Sequence, residues 1–273
     1  MDLNTVEAVR IPTCRDEVWP LRPGDAILAG GTWLFSEPQP AVSQLIDITA
    51  LGWPSITLTD EGLELAATCT IDEIAALSTR LPASRPDWSA AALFGQCCDA
   101  LLASFKVRGS ATVGGNICLA FPAGAMISLC SALDATVTVW RGDGSEYRLP
   151  ITDFVTGQAT TLLGPGDLLR AVHLPAAALR SRTALRKLAP SRLGRSSAVL
   201  IGRRNDHEFV VCVTAATVRP FMFRFPELPS AQEVEVRISE LPMQAWTSDA
   251  HGDPDWRRAV TLVLAEQVRQ ELS

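Results

Sequence analysis

Two glycine-bearing loops hold the residues best suited to chemistry in this sequence. Residues 30–32 read Gly-Gly-Thr, and residues 112–116 read Thr-Val-Gly-Gly-Asn. Paired glycines allow turns with positive φ and let a ligand approach the main chain closely. Successive amide N–H groups, helped by a hydroxyl, can then converge on an anion such as a diphosphate. A Gly-Gly pair alone is most often a turn, but two such loops together indicate a ligand held between two parts of the chain.

Other kinds of site find less support. The G-x-G-x-x-G fingerprint of a Rossmann dinucleotide site is absent. The seven cysteines form no C-x-x-C pair, zinc pattern or iron–sulfur run, so we predict no metal site and reduced thiols, mostly in the core. No Ser/His/Asp or paired-carboxylate pattern is present, and we expect no catalytic residue in this chain.

The composition is that of a packed globular protein. The chain has 273 residues, of which 47% are hydrophobic and 20% are charged. With 24 basic and 30 acidic residues the formal net charge is −6, which argues against general nucleic-acid binding. The most apolar region, 117–133, is interrupted by proline, glycine and serine, and the N-terminus lacks a secretory pattern. We therefore predict a cytoplasmic protein without a membrane span.

Strands and helices that could position the loops alternate in the first part of the chain. Thr70 and Glu73 have the spacing of a capping box, which predicts a helix from residue 71. The remaining predictions are strands at 26–28 and 44–48, hairpins at 55–58 with 63–66 and 135–140 with 146–149, and helices over 88–104 and from Pro122 to about Leu133.

The character of the sequence changes after about residue 175. Apolar runs predict a separate sheet with strands at 184–188, 198–201 and 209–218. Helices are expected over 230–238 and 254–272, the second capped by Asp253. On that last helix we expect one buried face, formed by Trp256, Val260, Val263 and Leu264.

Five segments together resemble the flavoprotein family of molybdenum hydroxylases, which includes the FAD domain of xanthine dehydrogenase and the medium subunit of carbon monoxide dehydrogenase. The family motifs A-G-G-T-D-L, L-I-D-I, T-I-G-G-N-L, A-L-D-A and G-E-L-L/I match, in order, residues 29–34, 45–48, 112–117, 132–135 and 166–169. Their order and spacing agree over nearly the whole chain.

The resemblance implies an α+β fold in two domains. Residues 1–175 would form a two-part FAD-binding domain of the PCMH type, similar to vanillyl-alcohol oxidase, with parts at about 1–53 and 54–175. Residues 176–273 would form a C-terminal domain like that of carbon monoxide dehydrogenase flavoproteins, with an antiparallel sheet and helices.

The resemblance also implies non-covalent FAD and its contacts. The first loop would wrap the diphosphate from one side and the second would approach it from the other, while Lys187 matches a lysine near the flavin ring. No histidine lies in either loop, which excludes a histidyl–flavin bond there, whereas a cysteinyl link at Cys118 stays open. The implied cofactor-binding residues are Leu28, Ala29, Gly30, Gly31, Thr32, Trp33, Leu34, Leu102, Thr112, Val113, Gly114, Gly115, Asn116, Ala125, Leu169 and Lys187.

Three acidic residues of the family pattern are missing. Trp33 replaces the acid after Gly-Gly-Thr, and Phe121 and Ala125 replace both aspartates of a D-P-x-x-D run. The second of these aspartates contacts the flavin side of the cofactor in the family. Its loss favours an alternative in which the chain is a structural subunit with weak or no FAD.

By resemblance, the chain is the FAD-binding electron-transfer subunit of a heterotrimeric oxidoreductase. A small subunit with two [2Fe–2S] clusters would supply electrons from a large molybdopterin-binding subunit, and NAD⁺, oxygen or another acceptor would take them. A free-standing flavin oxidase is a third reading, which the short chain disfavours. The segment 180–204 holds eight basic and no acidic residues, and is either a solvated face or a contact surface for a partner or an anionic acceptor.

Overall fold

The computed structural model describes residues 3–191 and 194–273. Helices are α1 (Ile71–Ser84), α2 (Ala91–Ala100), α3 (Phe105–Arg108), α4 (Val113–Cys118), α5 (Ala125–Ala132), α6 (Ile151–Phe154), α7 (Ala176–Leu179), α8 (Ala231–Ser239) and α9 (Pro254–Glu271). Strands are β1 (Ala8–Arg10), β2 (Asp25–Leu28), β3 (Gln44–Asp47), β4 (Ile56–Leu58), β5 (Gly62–Ala66), β6 (Thr136–Trp140), β7 (Glu146–Pro150), β8 (Val155–Gly157), β9 (Thr160–Thr161), β10 (Leu168–Pro175), β11 (Arg182–Leu188), β12 (Ala198–Arg204), β13 (Phe209–Thr214) and β14 (Phe221–Phe225).

A small parallel sheet precedes the first glycine loop. Its strand order is β1-β3-β2, and Leu28 at the end of β2 lies opposite Asp47 at the end of β3. The buried side chains of Ile46 and Ile48 pack against Leu168 of β10. This packing fixes the start of the first loop relative to the larger sheet that follows.

The second sheet is antiparallel, with the strand order β4-β5-β10-β6-β7, and shares a core with α1, α2 and α5. Both predicted hairpins of this region are present, as β4–β5 and β6–β7. The predicted capping box is also present. The Thr70 hydroxyl accepts from the Glu73 N–H at 3.3 Å, and the Glu73 carboxylate accepts from the Thr70 N–H at 2.8 Å.

The start of α1 is tied to the second glycine loop by backbone hydrogen bonds. The N–H of Ile71 donates to the carbonyl of Ala111, and the N–H of Val113 donates to the carbonyl of Cys69, each at 2.9 Å. The capped helix end therefore positions the residues that open the second loop.

The third sheet is antiparallel in the order β11-β12-β13-β14 and packs against α8 and α9. A Cβ added at Gly202 would lie 2.2 Å from Val268, so α9 lies directly on β12. Arg203, which is 2% exposed, bonds to Asp134 at the end of α5 and to Glu208 at 2.7 Å. This contact joins the third sheet to the core formed by the second sheet with α1, α2 and α5.

Several predicted boundaries are wrong. The helix expected over 88–104 covers only α2, because Leu101 is extended with ψ of 126°. The helix expected from Pro122 begins at Ala125, because Gly124 is also extended. The strand expected to reach 218 ends at Thr214, since Ala215 takes a φ of +63°. Strand β14 was not predicted.

Helix α9 begins as predicted, and its predicted buried face is right at Leu264 and Val260 but wrong at Trp256 and Val263. Asp253 caps it by accepting from the Trp256 N–H at 2.9 Å. However, Val263 is 59% exposed and Trp256 is 38% exposed. The side chains that α9 buries are Arg257, Thr261, Leu264, Ala265 and Val268.

Arg257 occupies a core position of α9 that the apolar pattern of the sequence does not predict. Its guanidinium donates to the carbonyls of Ser197 at 2.6 Å and Ala215 at 2.9 Å, and it pairs with Asp249 at 2.5 Å. A charged residue with all of these partners can occupy a core position that an apolar pattern assigns elsewhere.

The cysteines are free thiols, as predicted. Five are buried, Cys118 is half-buried and Cys14 is exposed. Within residues 3–191 and 194–273, no group of three or more His, Cys, Asp or Glu side chains is placed to hold a metal ion. In the same residues, no helix is long and apolar enough to cross a membrane.

Candidate functional site

The two glycine loops face each other across a cavity of about 320 Å³. One wall comes from the loop after β2 and the other from α4, and β10 contributes a third side. The predicted residues that line this cavity are Ala29, Gly30, Gly31, Thr32, Trp33, Leu34, Thr112, Gly114, Gly115, Asn116 and Leu169.

The first loop needs both of its glycines for its own geometry. Gly31 has a φ of +67°, and a Cβ there would lie 2.5 Å from the ring of Phe35. A Cβ at Gly30 would lie 1.8 Å from the carbonyl oxygen of Ser110. The loop therefore approaches the backbone that leads into the second loop more closely than any other residue type allows.

The first loop also presents unused hydrogen-bond donors. In the described part of the chain, none of the amide N–H groups of residues 30–34 donates to another residue. The hydroxyl of Thr32 likewise has no partner among the described residues. Amide groups are normally paired, so a run of free N–H groups along a cavity is suited to an anionic ligand.

The second loop contributes in a different way from the one the sequence suggested. The N–H groups of Val113 and Gly114 donate to Cys69 and Ala67, and that of Gly115 donates to the Thr112 hydroxyl at 3.1 Å. These donors are already used within the chain. The second loop therefore forms a closely packed floor rather than a second set of free amides.

The two glycines of that floor are not equivalent. A Cβ at Gly114 would lie within 2.6–2.9 Å of Ala67, including its backbone. A Cβ at Gly115 would meet only the Thr112 hydroxyl oxygen, at 3.2 Å. Gly114 is thus required by packing against backbone, whereas a side chain at Gly115 would crowd only the Thr112 hydroxyl and would extend beside the cavity.

Polar side chains mark two other points of the cavity. The Asn116 Oδ1 accepts from the Met126 N–H at 3.0 Å, which leaves its Nδ2 as a donor. Asp167 is the one charged side chain among the described lining residues, and it accepts from the Tyr147 hydroxyl at 2.9 Å. Burial and the bond to Asp167 raise the pKa of Tyr147 to about 12, so this hydroxyl stays a donor.

Five predicted site residues lie outside this cavity lining. Val113 and Ala125 are buried in the core, and Leu28 ends β2. Leu102 is 63% exposed, just beyond α2, and the Lys187 ammonium donates to the Ala100 carbonyl at 3.3 Å. The structure thus brings Leu102 and Lys187 to the same end of α2.

Sequence reasoning missed nine lining residues. Several are apolar side chains that only the folded chain brings together, although Asp167 and Leu168 belong to the motif at 166–169. The missed residues are Ile27, Ile48, Ala67, Ala111, Cys118, Leu119, Leu163, Asp167 and Leu168.

Cys118 is the one lining residue with a thiol among those described. Burial raises the pKa of Cys118 to about 12, which keeps the thiol protonated and a poor nucleophile. His173, His207 and His251 are not among the lining residues.

Three basic residues of the segment at 180–204 pair with acidic side chains. Arg180 pairs with Asp87 at 2.9 Å and Arg186 with Glu271 at 2.5 Å, while Arg203 is buried with its acidic partners. Arg192 lies outside the described residues. These pairs reduce the free charge of the segment, and its role as a solvated face or a contact surface stays a prediction.

Comparison with known proteins identifies the class. Residues 8–177 match the family described as the FAD binding domain in molybdopterin dehydrogenase, and the chain belongs to this family. The predicted family and FAD as its cofactor are thereby confirmed.

Two curated relatives are weaker matches. The chain is 26% identical over 141 residues to xanthine dehydrogenase 1 of Arabidopsis thaliana, covering 50% of this chain and 10% of that protein. Xanthine dehydrogenase 2 of the same plant is 26% identical over 127 residues, covering 44% of this chain. The chain therefore spans only about a tenth of the length of these relatives.

Solved structures confirm the predicted fold over the whole chain. Quinoline 2-oxidoreductase of Pseudomonas putida 86 matches 100% of this chain and 98% of its own, with a TM-score of 0.80 and 20% identity. Reconstituted CO dehydrogenase of Oligotropha carboxidovorans matches 100% and 99%, with a TM-score of 0.82 and 18% identity.

Proposed function

We propose that the cavity between the two loops binds one FAD non-covalently and that this chain is the flavin subunit of a molybdenum hydroxylase complex. The observation that carries the proposal is the run of free amide N–H groups at residues 30–34. They line the same cavity as Gly115, which lies in the second loop on the other side. This arrangement fits a diphosphate without any basic side chain among the described lining residues.

The residues of the chain bind and orient the cofactor. The free N–H groups and the Thr32 hydroxyl would hold the diphosphate, and Asn116 would add a donor from the floor. Asp167 would accept from a hydroxyl or amine of the nucleotide. FAD, when bound, would supply reversible electron uptake and release, and the apolar walls of the cavity would exclude water from its diphosphate.

The partners follow from the same proposal. A small subunit with [2Fe–2S] clusters would deliver electrons that a large molybdopterin-binding subunit takes from its substrate. NAD⁺, oxygen or another acceptor would receive them, and the complex would work in the cytoplasm. The exposed end of α2, with Leu102 and Lys187, is where we place the flavin ring.

Isolation of the natural complex tests this function. We expect the chain to copurify with molybdenum- and iron-containing subunits and with one FAD per chain, and the flavin absorbance to bleach when the complex receives its substrate. Copurification with the metal subunits without any flavin would contradict it.

That contrary result would instead favour a structural subunit with weak or no FAD. The observation in favour of this second candidate is that Phe121 and Ala125 stand where the family pattern has its two aspartates. The discriminating experiment is addition of free FAD to the isolated chain. A purely structural subunit would take up none at micromolar concentrations.

A further inference from the structure

An aromatic contact joins the two walls at one end of the cavity. The ring centroids of Trp33 and Phe121 are 4.8 Å apart and the ring planes are inclined at 72°, an edge-to-face pair. Trp33 lies in the first loop and lines the cavity, whereas Phe121 follows α4 and is half-buried behind it. Pairs of this geometry attract each other beyond the effect of burial alone.

Few other contacts among the described residues tie residues 30–34 to the opposite wall. Their hydrogen bonds within the described residues are local, with the carbonyls of Gly31 and Trp33 accepting from residues 35 and 36. The close approach of Gly30 to Ser110 fixes one end of the loop. The aromatic pair is the side-chain contact that fixes the other end, three residues later.

Both rings occupy positions where the resembled family carries an acid. A carboxylate at each of these neighbouring positions would place two negative charges close together, and they would repel each other. Two rings add no charge and attract. The aromatic residues at the two positions therefore complement each other, because the structure brings their rings into direct contact.

We propose that Trp33 and Phe121 form an aromatic latch that holds the first loop over bound FAD and slows its dissociation. Phe121 is a positioning residue, since it acts through Trp33. The latch rests on the proposed function, because it presumes that the cavity holds FAD.

A double-mutant cycle in the full chain tests the latch. The variants are Trp33→Leu, Phe121→Leu and the double variant, and the readout is the rate at which flavin fluorescence appears when loaded protein is diluted. Because the aromatic pair is removed by either change, each single variant should release FAD about threefold to tenfold faster. The double variant should be no faster than the faster single variant.

Three further variants make the result specific. Phe121→Tyr keeps the ring and should restore the original release rate, and Phe121→Met replaces Phe121→Leu if that variant does not fold. Phe221→Leu removes another half-buried ring, in β14, and should leave the release rate unchanged.

Contrary outcomes separate the latch from the function it rests on. Multiplicative effects in the double variant, or a lower melting temperature of the apoprotein with an unchanged release rate, would overturn the latch alone. An unmodified chain that takes up no FAD would overturn the proposed function instead.

Discussion

At the scale of single residues, the glycines of the two loops are needed for two reasons, the packing of the chain itself and the approach of a ligand. All four glycines border the cavity, but a side chain at Gly30, Gly31 or Gly114 would also collide with the chain itself. The sequence predicts that the two glycine pairs are important, but it cannot separate these two reasons. The residues that a side chain would meet are distant in sequence, Ser110 for Gly30 and Ala67 for Gly114.

Gly115→Val tests whether the second loop is a floor for the cofactor. The added Cβ would meet only the Thr112 hydroxyl oxygen, at 3.2 Å, so we expect the chain to fold with a modestly lower melting temperature. FAD affinity should fall on the order of tenfold or more, because the ligand can no longer approach the main chain. Calorimetric titration of the apoprotein with FAD measures this.

Gly202→Ala is the matched control, in the third sheet and away from the cavity. Its Cβ would press on Val268 of α9, so it should lower the melting temperature while the folded fraction still binds FAD. Full FAD affinity in a folded Gly115→Val variant would refute the floor.

Asn116→Asp tests the proposed donor on the cavity floor. Aspartate can still accept from the Met126 N–H, but it lacks the Nδ2 donor and brings a negative charge toward the diphosphate. Since a hydrogen bond to a charged group contributes about 1.5–3 kcal/mol, FAD affinity should fall by roughly tenfold to a hundredfold.

The control for this change is Asn205→Asp. The Asn205 Oδ1 also accepts backbone N–H groups, but it lies in a turn of the third sheet. Titration with FAD should give the original affinity for Asn205→Asp. An unchanged affinity for Asn116→Asp would remove Asn116 from the site.

At the scale of elements, the site depends on how α1 begins. The capping box at Thr70 orders the turn whose neighbours, Cys69 and Ile71, pair with the start of the second loop. Caps and hairpins were predictable because their signals are local in sequence. The use of the Val113 and Gly114 amides was not, because their acceptors, Cys69 and Ala67, lie about 45 residues earlier in the chain.

The Glu73 carboxylate gives this cap a pH dependence. Burial raises its pKa, but hydrogen bonds from Thr70 outweigh that effect and hold the pKa below its ordinary value of 4.5. The cap therefore contributes fully above pH 4.5, and its contribution is lost as pH falls through the lower, folded-state pKa.

Urea unfolding between pH 3 and pH 7 measures the effect. The difference in unfolding free energy between the unmodified chain and Glu73→Gln should be largest at neutral pH and shrink on acidification, on the order of 1 kcal/mol in all. A difference that grows as pH falls would contradict this role of Glu73.

At the scale of the whole molecule, an ionic network joins the third sheet to the core of the second sheet. Asp134 bonds to both Arg203 and Arg224, and Glu208 bonds to the same two arginines at 2.7 Å and 3.0 Å. Asp134 lies in the recognisable motif at 132–135, but the sequence does not reveal its partners, which are about 70 to 90 residues away.

Asp134→Asn tests this junction. Asparagine tolerates the φ of +52° but removes the charge opposite the buried Arg203, so unfolding free energy should fall by about 3 kcal/mol. Asp87→Asn breaks the exposed pair with Arg180 and should leave the unfolding free energy nearly unchanged. Equal losses in urea unfolding would show that the network is not a structural junction.

The central claim is that the cavity between the two loops holds one FAD without a covalent bond. The most direct measurement is the visible spectrum of the purified chain, after addition of FAD and removal of the excess, followed by denaturation and filtration. We predict a flavin spectrum with one FAD per chain, and all of the flavin in the filtrate after denaturation. Protein that stays colourless with added FAD, or flavin that stays attached to the denatured chain, would contradict the claim.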